Sequence, residues 1–193
     1  MRSWSGSAPD RVLVGAMKSA LIVVDMLNAY DHEDAEVLVE SVRAALPAMR
    51  RLVERAHEED TAVVYVNDNY GDWGAGRGAL VERALAGRAP DVVEPIAPAD
   101  GTWFITKARH SIFYETQLEY LLREQEVGRV VLVGQVTEQC ILYSALDAYV
   151  RHFDVAVARD AVAGIHPDLA NCALRMMERN MRADVVGGDD CAL

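Results

Sequence analysis

The sequence predicts an α/β fold: a three-layer, doubly wound, mostly parallel sheet with helices on both faces. Three observations carry this. Short apolar runs rich in Val, Ile and aromatic residues recur along the chain, as strands covered on both faces require. Segments with apolar residues three and four apart lie between those runs. The length, 193 residues with 51% hydrophobic, suits one domain with a single core. Strand and helix in alternation imply right-handed crossovers and a parallel sheet.

Residues 1–18 mix charged, small and apolar side chains without a continuous apolar segment and read as a mobile arm rather than a signal peptide. Residues 19–193 read as one domain. Its strands are expected at Ala20–Val24, Ala62–Val66, Trp103–Thr106, Val130–Val133 and Val155–Ala158, with a weaker sixth at Ala183–Val186. Glu36–Glu58 places Val39, Val42, Leu46, Met49 and Val53 on one helical stripe, with Pro47 a possible kink. Glu115–Gln125 groups Leu118, Leu121 and Leu122. Glu138–Arg151 and Pro167–Met181 follow, the last opening on a proline favoured in the first turn. The glycine-rich stretch Gly71–Gly78 does not run from a strand straight into a helix as a nucleotide loop does, and reads as a flexible lid or pocket rim.

Composition excludes some functions. A formal charge of −11 disfavours nucleic acid or an anionic membrane as the main partner, since both carry phosphate. No apolar run approaches the roughly 20 residues that cross a bilayer. The three cysteines, Cys140, Cys172 and Cys191, are odd in number, widely spaced and without a C-x-x-C pair. That argues against a disulfide framework or zinc cluster and for a reducing, cytoplasmic setting.

Ligands of such sheets bind beyond the carboxyl ends of the strands. Asp25 follows the first run, Asn67 and Asp68 the second, Lys107 the third, Gly134 to Cys140 the fourth and Asp160 the fifth. Thr137 is a candidate N-cap that would put Cys140 in the first turn of a helix, where the dipole and free amides favour a thiolate. Lys107 would add a cation, and Asp25 could take the thiol proton. Each residue alone has a plainer reading. Free cysteines are usually small buried hydrophobes, an aspartate after a strand can cap the next helix, and a lysine can be solvated. An Asp and a Lys both stranded at buried strand ends are expected to pair.

Three stretches carry a resemblance. They are ALIVVDMLNAY, ITKARHSIFYETQLEYLL and VVLVGQVTEQCILYSALDAYVRHFDVAVARDA. Together they resemble the isochorismatase-like, nicotinamidase-like cysteine hydrolases, in order and across residues 20–161. The resemblance implies that family's fold and a catalytic triad of Asp25 as general base, Lys107 and the nucleophile Cys140. Ser111 and Phe113 fall on its second motif. It also implies a cis peptide between Gln135 and Val136, and an oxyanion hole made by the Val136 and Cys140 amides. Gln135 departs from the small or aliphatic residue expected there and could put a polar group near the pocket.

Two further departures bear on the substrate. Nicotinamidases bind a metal through an Asp-x-His pair and a second His, whereas YVNDNYGDW puts Tyr70 after Asp68 at the matching place. The five histidines form no ligand-spaced cluster, and Asp31-His32-Glu33-Asp34 reads as a solvated loop. Neither metal nor other cofactor is therefore expected. Isochorismatases proper typically lack the cysteine, since they cleave a vinyl ether. Cys140 points instead to a small amide or N-carbamoyl substrate cleaved at a C–N bond through a thioester. Vinyl ether or ester hydrolysis, or a non-enzymatic binding role, are the alternatives. Asn67, Tyr70, Trp73, Phe113, Tyr114 and Tyr143 are candidate pocket residues. The resemblance also implies a homo-oligomer, a dimer or tetramer.

Overall fold

The computed structural model describes residues 17–193. Of the arm expected over residues 1–18, residues 1–16 lie outside that range. Lys18 opens the first strand instead, its ammonium 3.0 Å from Glu126. The strands are β1 (Lys18–Val24), β2 (Ala62–Asp68), β3 (Trp103–Lys107), β4 (Val127–Gln135), β5 (Asp154–Ala163) and β6 (Asp184–Val186). The helices are α1 (Ala35–Glu58), α2 (Arg77–Leu85), α3 (Pro90–Val93), α4 (Leu118–Glu124), α5 (Leu142–Val150) and α6 (Pro167–Asn180). A π-turn, Thr137–Ile141, runs directly into α5.

The strands form one sheet in the order β3-β2-β1-β4-β5-β6, and every pairing is parallel. The chain winds outward from β1 to β3, then returns to the other side of β1 and winds outward again. The switch point therefore lies between β1 and β4, where crossovers leave in opposite directions and open a crevice at the strand ends. Asp25 follows β1 and the 134–140 segment closes β4, so both border this crevice.

Strand alternation divides the core into two layers. Leu21, Val23, Val63, Tyr65, Val131 and Val133 face α1, α2 and α3. Ala20, Ile22, Val24, Val64, Val66 and Leu132 face α4, α5 and α6. Both faces of the central strands are buried, which is why they read as continuous apolar runs. The stripe of α1 buries Leu38, Val39, Val42, Met49 and Leu52, and the helix passes through Pro47 unbroken.

Some expectations are corrected. Strand β5 does not stop at Ala158. Arg159 and Asp160 interrupt its apolar run because both face solvent, yet Val162 and Ala163 pair again with Gly134 and Gln135. Asp160 thus sits inside β5, accepting the Gly188 amide at 2.6 Å, and does not join the residues at the strand ends. The stretch Gly71–Gly78, read as a lid or pocket rim, lines a cleft through Gly71, Asp72, Trp73 and Ala75. Asn69 Oδ1 and Asp72 Oδ1 accept the Gly71 and Gly74 amides at 3.0 and 3.1 Å, and Gly76 opens α2. Helices α2 and α3 were not foreseen. They bury few side chains, Leu80 and Ala84 in one and Val92 and Val93 in the other, too few to set a helical period.

Candidate active site

Backbone geometry brings the site together. Asp25 leaves β1 with φ of 55°, a left-handed conformation that a short polar residue tolerates better than most. Its amide still donates to Val66 O at 3.0 Å, which holds it beside β2. Gly134 has φ of +114°, and a Cβ there would lie 2.2 Å from Val24 O. Only glycine lets β4 approach β1 so closely at this edge. Gln135 and Val136 are joined by a cis peptide.

Lys107, the last residue of β3, is 2% exposed. Its Nζ lies 2.8 Å from Asp25 Oδ2, 3.6 Å from Cys140 Sγ and 3.7 Å from Asp68 Oδ2. Asp25 is itself 7% exposed and Cys140 8%. The Asp68 amide donates to Asp25 Oδ1 at 2.7 Å, so both carboxylate oxygens of Asp25 are engaged. Three residues from three strand ends therefore meet around one buried ammonium. Asp25 caps no helix, since α1 begins at Ala35, and Lys107 is not solvated; Cys140 is buried against the core, with the Lys107 ammonium 3.6 Å from its sulfur.

Electrostatics follow from this burial. Desolvation raises the Asp25 carboxyl above the usual carboxylate range, although Lys107 pulls it back. Burial opposes the Lys107 charge, but Asp25, Cys140 and Asp68 outweigh it and hold the ammonium above its ordinary value. Burial and the Asp25 carboxylate together push the Cys140 thiol up to about 12, against the pull of Lys107. Burial and Asp25 thus oppose the thiolate that a helix start and Lys107 favour. One expectation is corrected. Thr137 is buried and is the first residue of the π-turn, with Val136 at the cap position and no side-chain cap bond.

The supporting residues are equally specific. Gln135 is buried, donating to Asp25 O at 2.6 Å and accepting the Tyr30 hydroxyl at 3.3 Å, so it braces the base rather than facing a pocket. Asn67 is likewise no pocket residue. Its side chain accepts the Leu27 amide at 2.8 Å and donates to Leu27 O and Asp68 O at 3.1 and 3.0 Å, pinning the chain after β1 to the end of β2. Phe113 belongs to the core, stacked on Phe153 with centroids 5.7 Å apart. Ser111 Oγ accepts the Phe113 amide, and Ser144 Oγ accepts that of Ile112, so this turn is tied to α5.

A cleft opens above Lys107, lined by Asp68, Trp73, Arg109, Tyr114 and Glu115 among others. Trp73 and Tyr114, 83% and 53% exposed, stand at it as expected of pocket aromatics. The Tyr70 ring is part-exposed under Arg83, while burial and the nearby Asp25 carboxylate hold its hydroxyl well above the ordinary tyrosine value. Tyr143 packs on His110. Asp68 stands at the strand-end edge where the sequence puts it, whereas His110 was not foreseen as a site residue. His110 Nδ1 lies 3.6 Å from Cys140 Sγ. Its position three residues after Lys107, in the turn leaving β3, was the available signal. Asp31 to Asp34 are all exposed. Among the described residues no group of three His, Cys, Asp or Glu is placed to hold a metal ion, and Tyr70 offers no ligand nitrogen beside Asp68.

Comparison with known proteins agrees with this architecture. The isochorismatase domain family model matches residues 19–190. The uncharacterized isochorismatase family protein YaaI of Bacillus subtilis is 32% identical over 166 residues, covering 86% of this chain and 92% of that one. A maleamate amidohydrolase of Pseudomonas putida is 30% identical over 159 residues, covering 78% of this chain and 75% of its own. The crystal structure of N-carbamoylsarcosine amidase from Thermoplasma acidophilum superposes with a TM-score of 0.70 at 29% identity, covering 92% of this chain and 100% of that one. With the family match spanning nearly the whole described chain, this protein belongs to the isochorismatase family of hydrolases.

Proposed function

We propose that this chain is a cysteine-dependent hydrolase that cleaves the C–N bond of a small amide or N-carbamoyl substrate through a thioester. The observation that carries it is the buried Lys107 ammonium held between the Asp25 carboxylate and the Cys140 sulfur. Asp25 takes the Cys140 proton. That transfer leaves the summed charge of Asp25, Lys107 and Cys140 unchanged, so it avoids the cost of a net charge in a buried site. A carboxyl raised by burial is also a better match to a reluctant thiol than an ordinary one.

The thiolate then attacks the carbonyl carbon. The Val136 and Cys140 amides are the donors assigned to the tetrahedral oxyanion. As the intermediate collapses, the C–N bond breaks and Asp25 returns its proton to the leaving ammonia or amine. Asp25, again a carboxylate, takes a proton from water, which attacks the thioester. Collapse of that intermediate expels the sulfur, the Asp25 proton goes back to Cys140, and the acid is released. Lys107 offsets the thiolate and orients Asp25 throughout.

The substrate class follows the triad and the relatives, which include a maleamate amidohydrolase and an N-carbamoylsarcosine amidase. We assign no cofactor, a cytoplasmic setting, and neither nucleic acid nor membrane as partner. No helix among the described residues is long and apolar enough to cross a membrane. A homo-oligomer is proposed from the apolar face of α5, where Tyr143, Leu146, Tyr149 and Val150 are all exposed. The deciding experiment is ammonia release from a panel of amides and N-carbamoyl compounds, with isochorismate as the vinyl ether arm. Release from an amide or carbamoyl compound supports the assignment. Turnover of isochorismate alone, or of nothing while ligand still binds, refutes it.

A further inference from the structure

We infer that His110 is a fourth member of the reacting cluster: as an imidazolium it pairs with the Cys140 thiolate from the open side of the site. This rests on the reading of Cys140 as nucleophile. Two nitrogens lie equally near the sulfur. The buried Lys107 Nζ reaches Sγ at 3.6 Å, and Nδ1 of the exposed His110 reaches it at 3.6 Å. The His110 side chain is exposed, and its ring is backed by Tyr143 of α5, with centroids 5.4 Å apart and planes inclined at 57°. A histidine leaving β3 is thereby held beside a cysteine of the π-turn that precedes α5.

Charge gives this contact its purpose. The Lys107 ammonium is already shared by two carboxylates, Asp25 at 2.8 Å and Asp68 at 3.7 Å. When the thiol proton moves to Asp25, the remaining Asp68 carboxylate and the new thiolate face a single cation. The cluster carries one negative charge in excess before and after the transfer, and the transfer moves that charge onto a sulfur where burial opposes it. An imidazolium in contact with the sulfur cancels that excess. Histidine is suited to this because its charge changes within the physiological range. The groups in contact with it are Cys140 of the π-turn and Tyr143 of α5, its chain neighbour Arg109 lies on the cleft wall, and the charged groups around the same sulfur are Lys107 with its partners Asp25 and Asp68. The resemblance that assigned Lys107, Ser111 and Phe113 assigned nothing to this position.

The test is the pH profile of Cys140 alkylation by iodoacetamide, resolved from Cys172 by peptide mass spectrometry. It is run on the wild-type chain, His110→Gln and His110→Lys. Loss of an opposite charge at this separation predicts that His110→Gln slows alkylation about tenfold at about pH 6, where an imidazole carries its charge, and that His110→Lys, a fixed cation, restores the rate. If His110→Gln does not fold, His110→Asn, equally neutral, decides in its place. Superimposable alkylation profiles overturn the inference. Failure of the nucleophile reading looks different: Cys140→Ala would then keep its activity whatever His110 does.

Discussion

Replacing Lys107 with methionine keeps most of the length and the apolar stem of the side chain and removes its charge. The ammonium it deletes sits 2.8 Å from Asp25, 3.6 Å from Cys140 Sγ and 3.7 Å from Asp68. At an effective dielectric of about 20, a unit charge pair at this thiolate distance is worth roughly 4–5 kcal/mol. Each 1.36 kcal/mol is tenfold in rate, so kcat/KM should fall by about three orders of magnitude. Lys107→Arg should not rescue it, because a planar guanidinium does not replace a compact ammonium in a closed site. Stability should fall as well, by about 3–5 kcal/mol, since breaking a buried pair strands the other charge. The sign with pH is fixed by Asp25. Without its counter-charge the buried carboxyl rises further above its unfolded value. The variant is then most stable in acid and loses stability as pH climbs through that raised value, more steeply than the wild type. Ammonia release and urea unfolding at about pH 5 and 8 measure both effects. A variant with wild-type kinetics and a pH-independent stability gap would refute the reasoning and return Lys107 to a structural role.

Other outcomes follow from the same geometry. Gly134→Ala should lower the urea midpoint, costing more than about 1 kcal/mol, and depress turnover, because its Cβ would meet Val24 O at 2.2 Å and part the strands that carry Asp25 and Cys140. Dialysis against EDTA should leave turnover unchanged. A loss restored by one divalent metal would place a metal ion in the reaction. Light scattering should give a multiple of 21.2 kDa at micromolar concentration, and the mass of a single chain would remove the α5 face as an interface.

The parallel sheet was legible because burial on both faces leaves an apolar signature in β1, β2 and β4 that needs no partner information. Asp25 and Lys107 were legible one by one because each stands at a strand end, and Cys140 because it lies in the turn that follows β4; the parallel sheet turns those positions into proximity. The supporting shell was not legible. Asn67 looks like a pocket residue in sequence, and only the return of the chain at Leu27 shows that its amide is consumed by backbone. Gln135 likewise gave no sign that it would span Asp25 and Tyr30 across the switch point. Phe113 was misplaced because its Phe153 partner is distant in sequence. The balance at the thiol was not legible either: a helix start and a nearby lysine both favour a thiolate, burial and Asp25 oppose them, and the strength of that opposition depends on solvent exposure that no motif encodes. His110 escaped notice because its partner, the Cys140 sulfur, lies on another strand end.

If the Cys140 sulfur attacks the substrate carbonyl, turnover depends on it. Ammonia release by Cys140→Ala is measured against the wild type on whichever amide or N-carbamoyl compound the wild type hydrolyses fastest. The side chain is small and well packed, so a matching urea midpoint would show the fold intact. The account predicts no turnover above background from the folded variant, while Cys172→Ala, altered at an exposed thiol, keeps full activity. Undiminished ammonia release from folded Cys140→Ala would contradict it.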